Sequence, residues 1–232
     1  MSRPQPMQSH PQGARPFDES VTSVRVRERS DGETFTCEEE PHMLSPEDGY
    51  GYYPLKLGQF IHSGKLEIVR KLGWASNSSV WLARTHESAP CYLHRISGYL
   101  TPLGPSRNVF PARFVAVKIL SVNTSVGVFD GHVFETDMLK RVLDGSSSNH
   151  PGWKYCLRYY GVFVDSSIHG PHVCIATEVL GGNLVDLRKT LALRNGSFPV
   201  SLVKRIIKQK LLALDFLHRV CGLVHTGVSV VI

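Results

Sequence analysis

Apolar and polar positions along the chain predict five β-strands. Residues 66–72 and 80–83 are short apolar segments on either side of a turn of small polar residues, a pattern typical of a β-hairpin. Residues 114–120 are almost entirely apolar, as expected of a strand buried near the centre of a sheet. Residues 159–165 and 172–179 have the composition of two further strands, and a pair of glycines follows the second.

A short helix is predicted between the third and fourth strands. It covers residues 133–143, with Asp130 or Gly131 near its start, and Gly145 follows it. The apolar positions that recur at helical spacing are Phe134, Met138, Leu139 and Val142.

A longer helix is predicted after Pro199, a residue that suits a first helical turn, with Ser201 as its N-cap. The helix is expected to end at Cys221 and Gly222. One wide apolar face is formed by Val203, Ile206, Ile207, Leu211, Leu214 and Leu217.

Two segments lack such periodicity. Residues 1–48 are rich in Pro, Ser, Gln, Glu and Arg, and are predicted to be a disordered tail because they offer little apolar surface to bury. Residues 85–113 contain four prolines, and a loop of that length is uncommon inside a compact domain. We interpret this second segment as an insertion.

Composition narrows the class of protein. The chain is 42% hydrophobic and 20% charged, which is ordinary for a soluble globular protein. Since it has no long uninterrupted apolar run and no apolar signal core, we expect no contact with a membrane and a cytoplasmic or nuclear location. The five cysteines include no C-x-x-C pair, which argues against a disulfide framework or a zinc site. The net charge is +6, but no dense Lys/Arg run predicts direct binding to nucleic acid.

Three features carry chemistry in a fixed order. Apart from Trp74, residues 73–79 after Leu72 are Gly, Ala, Ser and Asn, and such small side chains let backbone N–H groups approach a phosphate. Lys118 lies on the apolar strand, where an unpaired ammonium is costly, and Glu135 follows on the short helix. Taken singly, each feature has a plainer interpretation: a polar turn, a lysine that reaches solvent from an edge strand, and an exposed helix glutamate.

Five stretches resemble the SR-protein-kinase family, whose corresponding stretches read YPVKIG, RKLGWG, VWLA, HICMVFEVLG and GLDYLHxxCGIIHTD. Here they are YPLKLG at 53–58, RKLGW at 70–74, VWLA at 80–83, HVCIATEVLG at 172–181 and LALDFLHRVCGLVHT at 212–226. The order strand, lysine, helix glutamate and hinge is also that of protein kinases in general.

The resemblance implies an α+β fold: a protein-kinase-like N-lobe, made of an antiparallel sheet plus one helix, with a hinge and the first helices of an incomplete C-lobe. The implied domains are the N-lobe over residues 49–180 and the hinge exit with a truncated C-lobe over 181–232. The implied activity is ATP-dependent phosphorylation of Arg-Ser-rich splicing proteins, and the family is found in both cytoplasm and nucleus.

The resemblance also implies a role for individual residues in binding ATP. The phosphate loop would be lined by Gly73, Ala75 and Ser78, and the adenine by Ala116 and Val179, with Val80 as a further nucleotide-binding residue. Lys118, paired with Glu135, would contact the phosphates. Thr177 would be the gatekeeper behind the adenine, and Glu178 and Leu180 would offer it backbone hydrogen bonds.

The sequence departs from the family where the catalytic loop is expected. The family continues as HTDIKPEN, but here Gly227 stands at the catalytic aspartate, Ser229 at the lysine and Ile232 at the metal-binding asparagine. We therefore expect no catalytic residue, no Mg²⁺ ligands of the family type and negligible kinase activity, with weak or absent ATP binding left open. We also interpret the chain as truncated in this loop, so that the long helix exposes apolar surface and favours self-association.

Two alternatives stand beside a truncated kinase. One is a pseudokinase fragment that acts as an ATP-binding or protein-interaction module without catalysis. The other is an unrelated α+β binding domain, which would require all five stretches to match by accident.

Overall fold

The structure is a computed structural model that describes residues 23–28, 34–39, 44–86, 112–190 and 197–224. Its strands are β1 (Ser23–Glu28), β2 (Thr34–Glu39), β3 (Phe60–Ile61), β4 (Leu66–Ala75), β5 (Ser78–Thr85), β6 (Phe114–Leu120), β7 (Tyr159–Ser167) and β8 (Gly170–Thr177). Its helices are α1 (Val122–Phe129), α2 (Glu135–Gly145), α3 (Leu184–Thr190) and α4 (Val200–Arg219), with 3-10 turns at Ser146–Ser148 and Trp153–Tyr155.

One antiparallel sheet organises most of the chain. Its six strands lie in the order β3-β4-β5-β6-β8-β7, so that β6 is central, as its apolar sequence predicts. The predicted α+β class and the antiparallel sheet are confirmed, with one short additional strand, β3, at the edge.

The two faces of the sheet have separate apolar clusters. The larger cluster joins residues of β3 to β8 with the segment before β3, including Tyr53, Trp81 and Val117. The second cluster is built on Leu120, Val173 and Ile175, against which parts of α1 and α2 pack. α1 and α2 therefore cover the face of the sheet that carries the second cluster.

The proposed insertion joins two strands that are direct neighbours. Thr85 donates its backbone N–H to the carbonyl of Arg113 (3.0 Å) and its hydroxyl to the carbonyl of Ala112 (3.0 Å). Most of the insertion, residues 87–111, lies outside the described residues. The described residues at its two ends nevertheless meet beside the β5–β6 pair.

The helices differ from the prediction in number and in where they begin. α1 is an additional helix, and it is hidden in the sequence because its valines and threonine favour strands. The Ser121 hydroxyl accepts a hydrogen bond from the Thr124 N–H and caps it. Asp130 is the C-cap of α1 and not the start of the next helix, which begins at Glu135. The short helix α3 is also additional.

Ser201 does not cap the long helix. Pro199 is the N-cap of α4, with the extended backbone that position needs, and Ser201 lies inside the first turn. A proline has no N–H and a preset φ, so it suits the N-cap position, and α4 begins two residues earlier than a cap at Ser201 predicts.

A two-stranded antiparallel hairpin occurs within the tail that the sequence predicts to be disordered. β1 and β2 pair over their whole length, from Ser23 opposite Glu39 to Glu28 opposite Thr34. Both strands alternate β-favouring residues with charged or small polar ones, a period that composition alone conceals.

The long helix α4 packs closely against the segment around Gly152. Gly152 precedes the 3-10 turn Trp153–Tyr155 and touches the helix so closely that an added Cβ would lie 1.9 Å from the Leu212 carbonyl oxygen. Phe216 is the one residue of α4 that is fully buried, and His150 binds Asp215 through its Nε2 atom (3.1 Å). The predicted apolar face is only partly covered, since Ile207 is 50% exposed and Leu211 is 60% exposed.

Candidate nucleotide-binding site

The ammonium of Lys118 is held by both carboxylate oxygens of Glu135. The distances from Nζ to Oε1 and Oε2 are 2.7 and 2.8 Å. Glu135 is the first residue of α2, where the partial positive charge of the helix N-terminus favours a carboxylate. An ammonium has three N–H donors, so one remains for a further acceptor in the space beside the sheet.

Pairing across the sheet collects the predicted adenine and phosphate residues on one face. Lys118 lies opposite Val80 on β5, and Ala116 lies opposite Thr177 on β8. Because side chains two residues apart on a strand point to the same face, Ala116 and Lys118 share the face that also holds Val80 and Thr177. This face is flanked by α2 through the Lys118–Glu135 ion pair.

The β4–β5 hairpin extends beyond this face. Gly73 lies opposite Val80, and Ala75 lies opposite Ser78 at the last pair before the turn. A Cβ added at Gly73 would meet no atom within 4 Å, so its backbone is open to an approaching group. Ser78, by contrast, is buried, whereas Ala75 is exposed; of the two, only Ala75 lies on an accessible part of the hairpin.

In the hinge after β8, both backbone groups of Glu178 already make a hydrogen bond. The Glu178 N–H donates to the Arg158 carbonyl (3.0 Å), and the Arg158 N–H donates to Glu178 Oε1 (2.8 Å). The Thr177 hydroxyl donates to the Glu178 carbonyl (3.2 Å), while Leu180 two residues on is exposed. The carbonyl of Glu178 and the backbone of Leu180 are thus the hinge groups available for a planar ligand. Val179 between them is also exposed.

Sequence reasoning missed two residues that shape the site. Arg158 fixes the hinge through its backbone, and no side-chain pattern signals such a contact. Tyr52 donates its hydroxyl to the carbonyl of Ala75 (2.8 Å) and reaches that of Ser76. Its signal in the sequence is the aromatic run that precedes Pro54.

Metal ligands are a separate matter. Within the described ranges, no group of three or more His, Cys, Asp or Glu side chains is arranged to hold a metal ion. Gly227, Ser229 and Ile232, the positions that depart from the catalytic-loop pattern, lie outside those ranges.

None of the helices in the described part of the chain has the length and apolar character needed to cross a membrane.

Comparison with curated proteins finds a consistent group of relatives. The chain is 31% identical over 207 residues to protein kinase dsk1 of Schizosaccharomyces pombe, covering 88% of this chain and 33% of that protein. It is 31% identical over 180 residues to the serine/threonine-protein kinase SRPK of Physarum polycephalum (77% of this chain, 35% of that protein). It is 33% identical over 180 residues to mouse SRSF protein kinase 3 (77% of this chain, 26% of that protein). The chain thus spans about a third or less of the length of these relatives.

Comparisons with family models and with solved structures do not narrow the family further. No family model matches the chain. A crystal structure of a kinase domain aligns with a TM-score of 0.49 at 18% identity, covering 72% of this chain and 39% of that one.

Proposed function

This chain is a relative of the SR-protein kinases, and on that premise we propose that residues 50–224 form an ATP-binding module of the protein-kinase type. The observation that carries the proposal is the ion pair of Lys118 with Glu135, placed beside an open small-residue hairpin. Phosphate groups need fixed positive charge and backbone N–H donors, and these two elements supply both.

The adenine would occupy the face that holds Val80, Ala116 and Thr177. Val80 and Ala116 offer an apolar surface there, and the Thr177 hydroxyl already donates a hydrogen bond to the Glu178 carbonyl. A flat purine is commonly recognised by apolar walls and a few backbone hydrogen bonds. The Glu178 carbonyl and the Leu180 backbone suit the second requirement, since the Glu178 N–H is already used by Arg158.

For the whole protein we propose the activity of the relatives' group: serine/threonine kinase action on Arg-Ser-rich splicing proteins, in cytoplasm and nucleus. For this chain we propose that phosphoryl transfer itself is absent. Gly227 has no side chain to accept the proton of a substrate hydroxyl, and the asparagine position that would help hold Mg²⁺ is Ile232. The chain would then act as a non-catalytic module.

Nucleotide binding is tested by titrating the purified chain with ATP and with adenosine, each with and without Mg²⁺, in a calorimeter. We expect both ligands to bind, and ATP to lose roughly tenfold or more in affinity in Lys118→Met, because a charge-assisted hydrogen bond to phosphate is lost. Lys140→Met, which removes an exposed lysine from the same helix as Glu135, is the matched control and should bind ATP normally. If neither ligand binds the wild-type chain, the proposal is wrong.

Phosphoryl transfer is tested with radiolabelled ATP and an Arg-Ser-repeat peptide. We expect incorporation no greater than in a reaction without protein. Turnover at the rate typical of a protein kinase, on the order of 1–100 s⁻¹, would contradict the non-catalytic proposal while leaving the nucleotide site intact.

A further inference from the structure

The segment before β3 reaches the tip of the β4–β5 hairpin. Tyr52 is 1% exposed, and its hydroxyl lies 2.8 Å from the carbonyl oxygen of Ala75 and 2.5 Å from that of Ser76. The single hydroxyl proton is therefore shared between two carbonyls of the turn. These contacts join residues that are 23 and 24 positions apart in the chain.

The turn has a conformation that benefits from such support. Ser76 and Asn77 are its two central residues, and neither has a positive φ. Two-residue hairpin turns usually have positive φ, because that backbone twist matches the twist of the two strands. A turn without it tends to splay the strands, so its position depends on contacts from outside the hairpin. One such contact comes from the Ser121 N–H, which donates to the Asn77 carbonyl (2.9 Å). Another comes from the Tyr52 hydroxyl.

Tyr52 is itself held firmly. The carbonyl of Gly51 accepts the N–H of Val122 at the start of α1 (2.9 Å). Gly51 has a φ of +73°, and an added Cβ would lie 2.8 Å from Pro46 Cγ, so this close approach requires glycine. The ring of Tyr52 also meets that of Trp74 edge to face, with centroids 6.2 Å apart. Burial raises the pKa of Tyr52 to about 12, so the hydroxyl keeps its proton at neutral pH.

Tyr52 contacts the hairpin from the side away from the candidate site. Its neighbour Trp74 pairs with Ser79, and Ser79 points to the face opposite that of Val80. The hydroxyl therefore acts on the carbonyls of the turn and leaves the face beside Gly73 open.

We propose that Tyr52 is a positioning residue for the phosphates of a bound nucleotide: its hydroxyl fixes the hairpin tip so that the backbone around Gly73 and Ala75 meets them. This inference rests on the proposed function. It predicts a selective defect, because the adenosine part of the ligand would contact Val80, Ala116, Thr177 and the hinge, whereas the contacts of Tyr52 described above lie at the hairpin tip and on Trp74.

The test measures dissociation constants of ATP and adenosine for Tyr52→Phe, a change that removes the hydroxyl and keeps the ring. We expect ATP to bind roughly three- to tenfold more weakly, as for loss of one hydrogen bond, and adenosine to bind as in the wild type. A merely structural role would weaken both ligands in the same proportion or neither.

Tyr53→Phe is the matched control. Tyr53 is the next residue, is also buried, and donates its hydroxyl to a backbone carbonyl, that of Ser166 at the end of β7 (3.0 Å). Burial also raises its pKa to about 12. Its removal should change thermal stability to a similar extent without changing the ratio of the two dissociation constants.

An unchanged ratio in Tyr52→Phe, or an equal change in Tyr53→Phe, would overturn the inference and leave the nucleotide site standing. If the wild-type protein bound ATP no more tightly than adenosine, the hairpin would contribute nothing to recognition, and the inference would also be overturned. A wild-type protein that bound neither ligand would overturn the proposed function and this inference together.

Discussion

Glu135 holds Lys118 with both of its carboxylate oxygens, and it does so from the first residue of a helix that has no fully buried side chain. The side chains of the two residues are 34% and 37% exposed. The pair is thus fixed by geometry rather than by deep burial, and either member can be changed without leaving a charge in an apolar core.

Replacing Glu135 with Gln should weaken ATP binding by roughly three- to tenfold, since the ammonium loses the partner that aims it. Thermal stability should change little, because an exposed ion pair contributes only about 0–1 kcal/mol. Calorimetric titration and a thermal melt measure the two quantities. Asp137→Asn, one charge removed from an exposed position in the same helical turn, should change neither.

Protonation of His62 should lower the free energy of unfolding in mild acid. Burial, and secondarily the nearby Lys65 charge, lower the pKa of His62 from 6.5 to about 4. A lowered folded-state pKa means that the unfolded chain binds the proton more tightly. Stability is therefore complete above about pH 6.5 and falls as the pH drops toward 4, by about 1 kcal/mol at pH 5.5.

Urea denaturation at pH 7.5 and 5.5 measures this effect. In His62→Asn the loss should be smaller, because asparagine does not titrate yet tolerates the positive φ (52°) of this position. His132→Asn, at an exposed site between α1 and α2, should keep the wild-type pH dependence. An equal loss in all three proteins would assign the pH dependence to other groups, among them buried His172, whose pKa is also lowered by burial.

Gly152→Ala should loosen the attachment of α4. The new methyl group would meet the Leu212 carbonyl oxygen at 1.9 Å and Phe216 Cβ at 2.8 Å, so the helix must move. We expect a loss of about 1–3 kcal/mol in the free energy of unfolding, typical of overpacking at a tight contact. Chemical denaturation gives the value. Gly182→Ala, whose Cβ would meet Asp186 at an ordinary 3.6 Å, should cost far less.

The exposed face of α4 should drive self-association. Ile207 and Leu211 lie one turn apart on that face, with Lys204 and Lys208 beside them. In Ile207→Ser/Leu211→Ser, sedimentation equilibrium should show a weaker tendency to associate than in the wild type. Ile168→Ser removes a still more exposed apolar side chain, at the β7–β8 turn, and should leave association unchanged. A wild-type protein that is monomeric at high concentration would contradict this prediction.

Local sequence predicted the elements whose signal is contained within a few residues. The apolar run around Lys118 identifies a central strand, and the small residues after Leu72 identify the hairpin. The meeting of Lys118 with Glu135 was predicted from the order of motifs, not from periodicity. α1 was missed because Val and Thr favour strands, and what secures it as a helix is the Ser121 cap and the contact of its first N–H with Gly51.

The remaining features depend on residues far apart in the chain. The Tyr52 hydroxyl and the Ala75 carbonyl meet only after the sheet has formed, and no local pattern encodes that distance. The same holds for the two hydrogen bonds between Arg158 and Glu178, in which the Glu178 N–H donates to the Arg158 carbonyl and the Arg158 N–H donates to the Glu178 carboxylate, so that one hinge donor is no longer available. Ser201 failed as a cap because Pro199 already supplies the backbone that begins α4.

Hydrogen bonds from Thr85 to Arg113 and Ala112 hold the end of β5 next to the start of β6. The geometry of the site should therefore depend little on how many residues connect them. Because these two ends are joined by hydrogen bonds, adding flexible residues between them should carry only a slowly growing entropic cost, about 0.6 kcal/mol for each doubling in length. A deletion or an inserted reporter domain between residues 86 and 112 should therefore be tolerated, so this is a suitable place to attach a probe while nucleotide binding is measured.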